Sequence, residues 1–284
     1  MRKWVIWLFA AGALVAAAAA SSQVVLAPTV YHSAALPSNS ITTFTVTCPP
    51  GNLAVSAGVS TAAPGVSTLS IRPTSARAFV FRFGNPSTNP DRRITVAVAC
   101  RKLGAGKPYL KLVRLRTKPV IVPVEGLKHV VIPCPKGTLL AGAGLDLTPP
   151  KGKALAGFNG SPLELRSQSL GLKRLTFEVR NADSKPHAAV LYGNCVTIVR
   201  PSGSAPGWLQ VEVLTRTTPV QPGSHTFKRS CPSGWVGLAT GYTLAPKLTL
   251  GASAAIARGG KWTIRNAAGS QVLADLQLTC GRLA

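Results

Sequence analysis

Eight carboxylates, four histidines and six cysteines are the side chains through which this chain of 284 residues could do acid–base, metal or thiol chemistry. A glycosidase sets two carboxyl groups at a fixed separation across a sugar ring. The acids here are Asp91, Glu125, Asp146, Glu164, Glu178, Asp183, Glu212 and Asp275, and of these Glu178 and Asp183 flank one turn, at Asn181. Arg180 and Lys185 stand beside them, so the pair reads as solvated turn residues. His32, His129, His187 and His225 follow no His-x-x-x-His spacing, and no Cys-x-x-Cys occurs, which removes the usual zinc patterns. A Ser–His–Asp triad assembles in space rather than along the chain, and no Gly-x-Ser-x-Gly turn points to one. The expectation is a noncatalytic protein with no cofactor and no metal site; a secreted hydrolase is the most distant alternative.

Positive charge is what the chain has in excess: 32 Lys and Arg against 8 Asp and Glu, a formal net charge of +24. Charge on this scale raises affinity for anionic surfaces and polymers in general. The densest run is Arg101, Lys102, Lys107, Lys111, Arg114, Arg116 and Lys118, and these seven are the predicted polyanion-binding residues. Cell-wall polyphosphates, acidic glycans and lipid headgroups are the expected, nonspecific partners. No recognition motif for a specific nucleic-acid sequence is present, and a homo-oligomer is left open as a further partner. A lectin-like, carbohydrate-binding module is the nearer alternative, with Trp208 and Trp235 as residues that would stack on a sugar. Trp262 stands where the other copies of the repeat have Phe81 and Phe177 and reads as core.

The elements that must carry these side chains repeat three times. Cys-Pro-x-Gly occurs at Cys48–Gly51, Cys134–Gly137 and Cys231–Gly234. Ten residues after each of these cysteines stands a glycine, Gly58, Gly144 or Gly241. An aromatic and an asparagine follow at a spacing of four, Phe81/Asn85, Phe177/Asn181 and Trp262/Asn266, and each copy closes on Cys100, Cys195 or Cys280. Six cysteines at repeated positions imply disulfides, and the repeat pairs them as Cys48–Cys100, Cys134–Cys195 and Cys231–Cys280. Each bridge closes a loop worth roughly 4 kcal/mol in the chain-entropy account.

Period-two alternation predicts strands. Phe44, Val46 and Cys48 share one face, as do Val130, Ile132 and Cys134, and Val96, Val98 and Cys100; Ala97 and Gln277 are expected on outward faces. Pro119 and Pro219 are expected to end the strands that open the second and third copies. The tenth-position glycine marks a bulge or a close backbone approach. The stretches 60–76, 146–174 and 245–260 differ most between copies and read as loops. Trp235 is expected to face solvent.

As a set, the Cys-Pro-x-Gly turn, glycine-rich strand, aromatic–Asn hairpin and closing cysteine resemble a module of secreted bacterial proteins of unknown function. The resemblance covers most of residues 41–284 and carries no catalytic residues. More distantly the three Cys-Pro-x-Gly repeats resemble vitelline membrane outer layer proteins, which implies a threefold β-prism architecture and no particular function.

Residues 1–20 read as a signal peptide: Arg2 and Lys3, an apolar run from Trp4 to Ala20, and small residues before Ser21. A retained membrane anchor is the alternative. The organisation is then a signal peptide at 1–20, repeat units at 21–108, 109–207 and 208–284, and an all-β, disulfide-stapled, basic protein. The units form one pseudo-threefold β-prism-like body; three tandem small β-sandwiches are the alternative. The expected location is secreted or on the extracellular face of the cell envelope.

Overall fold

The computed structural model describes residues 24–25, 29–63, 65–86, 90–103, 109–147, 163–199 and 209–283. The first unit contributes β1 (Val24–Val25), β2 (Thr29–Leu36), β3 (Ser40–Thr47), β4 (Leu53–Thr61), β5 (Ser67–Ser75), β6 (Ala78–Asn85) and β7 (Arg92–Leu103). The second contributes β8 (Tyr109–Arg116), β9 (Val120–Val122), β10 (Leu127–Pro133), β11 (Leu139–Asp146), β12 (Leu163–Leu170), β13 (Arg174–Asn181) and β14 (His187–Val199). The third contributes β15 (Leu209–Val220), β16 (Gly223–Ser230), β17 (Val236–Leu244), β18 (Leu248–Ile256), β19 (Gly259–Asn266) and β20 (Val272–Leu283).

These strands form three sheets, and each sheet is shared by two units. The orders are β1-β7-β4-β18-β19-β16 with β2 beside β7, β10-β13-β12-β17-β20-β15, and β3-β6-β5-β11-β14-β8 with β9 beside β14. The seams pair Val59 with Ser253, Leu145 with Ile71, and Tyr242 with Gln168. Val59, Leu145 and Tyr242 each stand eleven residues after their Cys-Pro cysteine. The units are therefore related by a pseudo-threefold rotation, and tandem beads are excluded because no sheet belongs to one unit.

Each unit keeps its own apolar core between its two half-sheets. Phe79, Phe81, Phe83, Val96 and Val98 lie with Cys48–Cys100 in the first, and Phe177 and Trp262 hold matching places in the other two. A fourth cluster gathers Val55, Ala99, Ala141, Val196 and Ala255 from all three units along the axis. This axial packing buries the second face of the central strands. Ala97, expected outside, is buried for that reason, and Gln277 meets the neighbouring unit, its Oε1 accepting from the Leu170 N–H at 2.7 Å.

The repeat glycines are close approaches. A Cβ on Gly58 would lie 2.0 Å from the Ser253 carbonyl oxygen, on Gly144 2.6 Å from that of Ile71, and on Gly241 2.5 Å from that of Gln168. All three contacts are on the seams. The bulges sit earlier in the same strands, between Ala54/Ser56, Leu140/Gly142 and Gly237/Ala239, and the residue each one skips is buried: Val55, Ala141, Leu238.

Two expectations are corrected. The stretches read as loops contain β5, β12 and β18, the strands that join the units. Pro119 does interrupt its strand, separating β8 from β9, but β15 runs through Pro219, which pairs with Leu273. β15 is an edge strand, so a missing N–H costs no ladder bond there.

The candidate anion-binding end

The three bridges form as the repeat requires, Cys48–Cys100, Cys134–Cys195 and Cys231–Cys280, with Cα separations of 5.7, 5.8 and 5.7 Å. They suit an oxidising compartment. Because equivalent seam residues stand at equal distances from their cysteines, all three Cys-Pro turns lie at one end of the body. At that end each turn is bonded to the tip of the hairpin that joins the next two strands. The Cys48, Cys134 and Cys231 N–H groups donate to the carbonyls of Arg77, Lys173 and Arg258 at 2.7, 2.8 and 2.8 Å. One cation from each unit is thereby fixed at an equivalent place. Lys173 and Arg258 are exposed; Arg77 is half-buried, its Nη2 donating to the Cys48 carbonyl at 2.8 Å. Exposed Lys136 in the second turn, Arg174 beside Lys173, and Arg282 two residues past Cys280 add to the same end.

The acids lie elsewhere. Glu212, in register with Cys280, is the one nearest the cysteine end. Asp146, Glu178 and Asp275 sit just past the level of the seam pairs, as their partners Ser70, Ser167 and Thr243 show. Asp91, Glu125, Glu164 and Asp183 are at the opposite end, near the corners and the Asn turns. The body is thus polarised along its axis, with cations at both ends and the acids concentrated at one.

The predicted cationic run does not form one surface. Arg101 is fully buried, its guanidinium donating to the carbonyls of Cys100 at 2.6 Å and of Gly237 in the third unit. Burial lowers its pKa to about 10, which still leaves it charged at neutral pH. It bridges two units and leaves the set of surface cations. Arg114 is half-buried, and burial lowers its pKa as well. Lys111 and Arg114 pair with Thr197 and Asn194, near the cysteine level, whereas Arg116 pairs with Tyr192 at the seam level and Lys118 lies beyond it. Alternation also puts Lys111 and Arg114 on opposite faces of β8. The Lys102 side chain and Lys107 are outside the described residues, as is Trp208.

Trp235 does not stand free in solvent. It is half-buried against the third core, and the Arg282 guanidinium lies 4.9 Å from its ring centroid while Arg282 Nε bonds Gln210 Oε1. Trp262 is core, with Nε1 donating to the Gly241 carbonyl at 3.0 Å. Among the described residues the nearest approach to a catalytic pair is Asp183–His187, Oδ2 to Nε2 2.7 Å. The bonds from His187 and the Ser184 N–H hold the Asp183 carboxyl below its usual range. Ser184 Oγ reaches Asp183 at 3.4 Å and makes no bond to the imidazole, so the nucleophile–base–acid order is not built. Glu178 faces His129 at 3.6 Å. No group of three or more potential metal ligands occurs among the described residues.

The repeat asparagines stand at the hairpins, as the aromatic–Asn spacing implies. They are buried hubs. Asn85 Nδ2 donates to Leu36, Pro37 and Pro90 carbonyls, Asn181 to Val122, Pro123 and Lys185, and Asn266 to Val220 and Ser270. Each one ties the corner where the chain changes sheet to a returning hairpin. The cation triplet was also readable: Arg77, Lys173 and Arg258 each precede the repeat aromatic by four residues.

No protein-family model and no curated protein matches this sequence. Among solved structures, a chain from a study of the triple jelly roll fold and turret assembly of an archaeal virus is 8% identical. That match covers 93% of this chain and 91% of the viral one, with a TM-score of 0.22. A chain from the atomic structure of Sulfolobus turreted icosahedral virus is 9% identical over 88% and 84%, also with a TM-score of 0.22. Likeness at that level carries no argument about this protein.

Proposed function

We propose that this is a noncatalytic, extracellular or envelope-associated binding protein that holds anionic surfaces or polymers with its cysteine end. The observation that carries the reading is the pairing of three equivalent hairpin-tip cations with the near absence of acids at that end. Lys136, Arg174 and Arg282 extend the same charge. The hairpin tips are held by backbone bonds to the disulfide-bearing turns, so little order is lost on binding. The three bridges and the apolar run ahead of Ser21 support export. The sugar-stacking alternative has less support, because the Trp235 ring already carries the Arg282 guanidinium.

Retention on immobilised heparin across a salt gradient tests the proposal. The Lys136→Gln/Lys173→Gln/Arg258→Gln variant should elute earlier and lower the slope of log affinity against log salt by roughly 2. A matched Arg93→Gln/Lys185→Gln/Arg265→Gln variant removes equal charge from the opposite end and should change little. Equal losses from the two variants would mean the whole surface attracts without a defined face. No retention of the parent at low salt would remove the proposal.

A further inference from the structure

The cysteine end carries more than charge. At each tip the cation is preceded by an exposed apolar residue, giving Ala76–Arg77, Leu172–Lys173 and Ala257–Arg258. Leu172 is 46% exposed and stands between a tight turn and two cations, Lys173 and Arg174. An apolar side chain held out beside cations gains nothing from a soluble polyanion. Against a bilayer it gains, because the cations meet headgroup phosphates while the apolar group enters the acyl boundary.

The path of the chain points the same way. β1 pairs Val24 with Leu103 and Val25 with Lys102, just past Cys100. Everything ahead of Val24 therefore joins the body at the cysteine end. That preceding sequence includes the uninterrupted apolar run from Trp4 to Ala20, with Arg2 and Lys3 before it. Such a run is near the length needed to span a bilayer, and leading cations favour leaving the following domain on the far side. Few residues separate Ala20 from Val24, so a membrane-borne segment would present the body to the lipid with its cysteine end first.

Resting on the polyanion reading above, we infer that the surface recognised is an anionic lipid bilayer. The three hairpin tips face the membrane, Leu172 enters it, and the opposite, acid-bearing end points away. The experiment uses the chain from Ser21 onward, which holds every strand of the body, checked first for a single unfolding transition. It should cosediment at low salt with vesicles of phosphatidylglycerol and phosphatidylcholine and stay in solution with phosphatidylcholine alone. The Lys136→Gln/Lys173→Gln/Arg258→Gln variant should lose on the order of a hundredfold in partitioning, each cation near an anionic surface contributing about fivefold. Leu172→Ser should lose about fivefold on vesicles and nothing on heparin; that split separates lipid from polymer. Binding to heparin with none to anionic vesicles would overturn this inference and leave the polyanion reading standing. Binding to neither would overturn both. Equal effects of Leu172→Ser on vesicles and heparin, or loss of vesicle binding in the Arg93/Lys185/Arg265 variant instead, would also refute the orientation.

Discussion

Replacing the seam glycines by alanine tests whether the three units are one cooperative body. At Gly144 the added Cβ would meet the Ile71 carbonyl oxygen at 2.6 Å, where ordinary contact begins at 3.4 Å. That carbonyl belongs to β5, already bonded to β6 on its other side, so it cannot swing away alone. The seam between the first two units must open by about 0.8 Å, and by about 1.4 Å for Gly58→Ala, whose Cβ would lie 2.0 Å from the Ser253 oxygen. Overpacking of this kind costs about 1–3 kcal/mol, more where backbone bonds are lost with it. We expect about 2–3 kcal/mol for Gly144→Ala and more for Gly58→Ala. Gly251→Ala is the control: it lies in the seam strand β18, yet its nearest contact would be an ordinary 3.5 Å, from the Thr263 oxygen. That change should be neutral, or stabilising by about 0.5 kcal/mol through the unfolded chain. Urea unfolding of the oxidised chain from Ser21 would be followed by far-UV circular dichroism and by tryptophan fluorescence. All its tryptophans, Trp208, Trp235 and Trp262, belong to the third unit, whereas Gly144 is on the seam between the first two. In one body, Gly144→Ala moves both signals together. A fluorescence midpoint left in place while circular dichroism shifts would refute the cooperative reading, and an unchanged midpoint in both would refute the seam clash.

Two further outcomes follow from the same frame. Asn181→Asp should destabilise as much as Asn181→Ala, by about 2–4 kcal/mol, because the carbonyls of Val122, Pro123 and Lys185 need a donor that carboxylate lacks; thermal unfolding of the two variants would check it, and a well-tolerated aspartate would count against the hub. Deleting residues 21–35 removes most of β2, which pairs along β7 from Ala99 to Arg92, and should lower the single transition of the whole protein; a partial loss confined to one unit would count against it.

Much of the fold was legible where the chain keeps a strict period of two. The arms around Phe81, Phe177 and Trp262 have one buried face each against a unit core, so the pattern survives; the first strand into a closing cysteine also alternates, Val96, Val98 and Cys100 on the core face and small Ala97 and Ala99 on the face that the axial packing buries. The joining strands were not legible for a physical reason. Bulges at Thr68/Ser70, Leu165/Ser167 and Leu250/Ala252 shift their register midway, and alternation is lost. The cationic run misled because consecutive residues of an extended strand travel along the body and alternate faces. Arg101 ends buried in β7, while Lys111 to Arg116 climb β8 from the cysteine level to the seam and Lys118 lies past it. The surface that does gather charge takes one residue from each of three distant hairpins, visible only when Arg77, Lys173 and Arg258 are aligned through the repeat.

The division of labour between sulfur and sheet has a consequence for wear outside the cell. Disulfides close within units, across 52, 61 and 49 residues, while the seams close between them. A single protease cut inside a bridged loop leaves both fragments tied covalently. A cut between units leaves the fragments clasped at the β18–β4, β5–β11 and β12–β17 joints. Any one scission is thus caught by one of two independent fastenings: after a cut inside a bridged loop, release needs a second cut or a reductant, and after a cut between units it needs the seams to open.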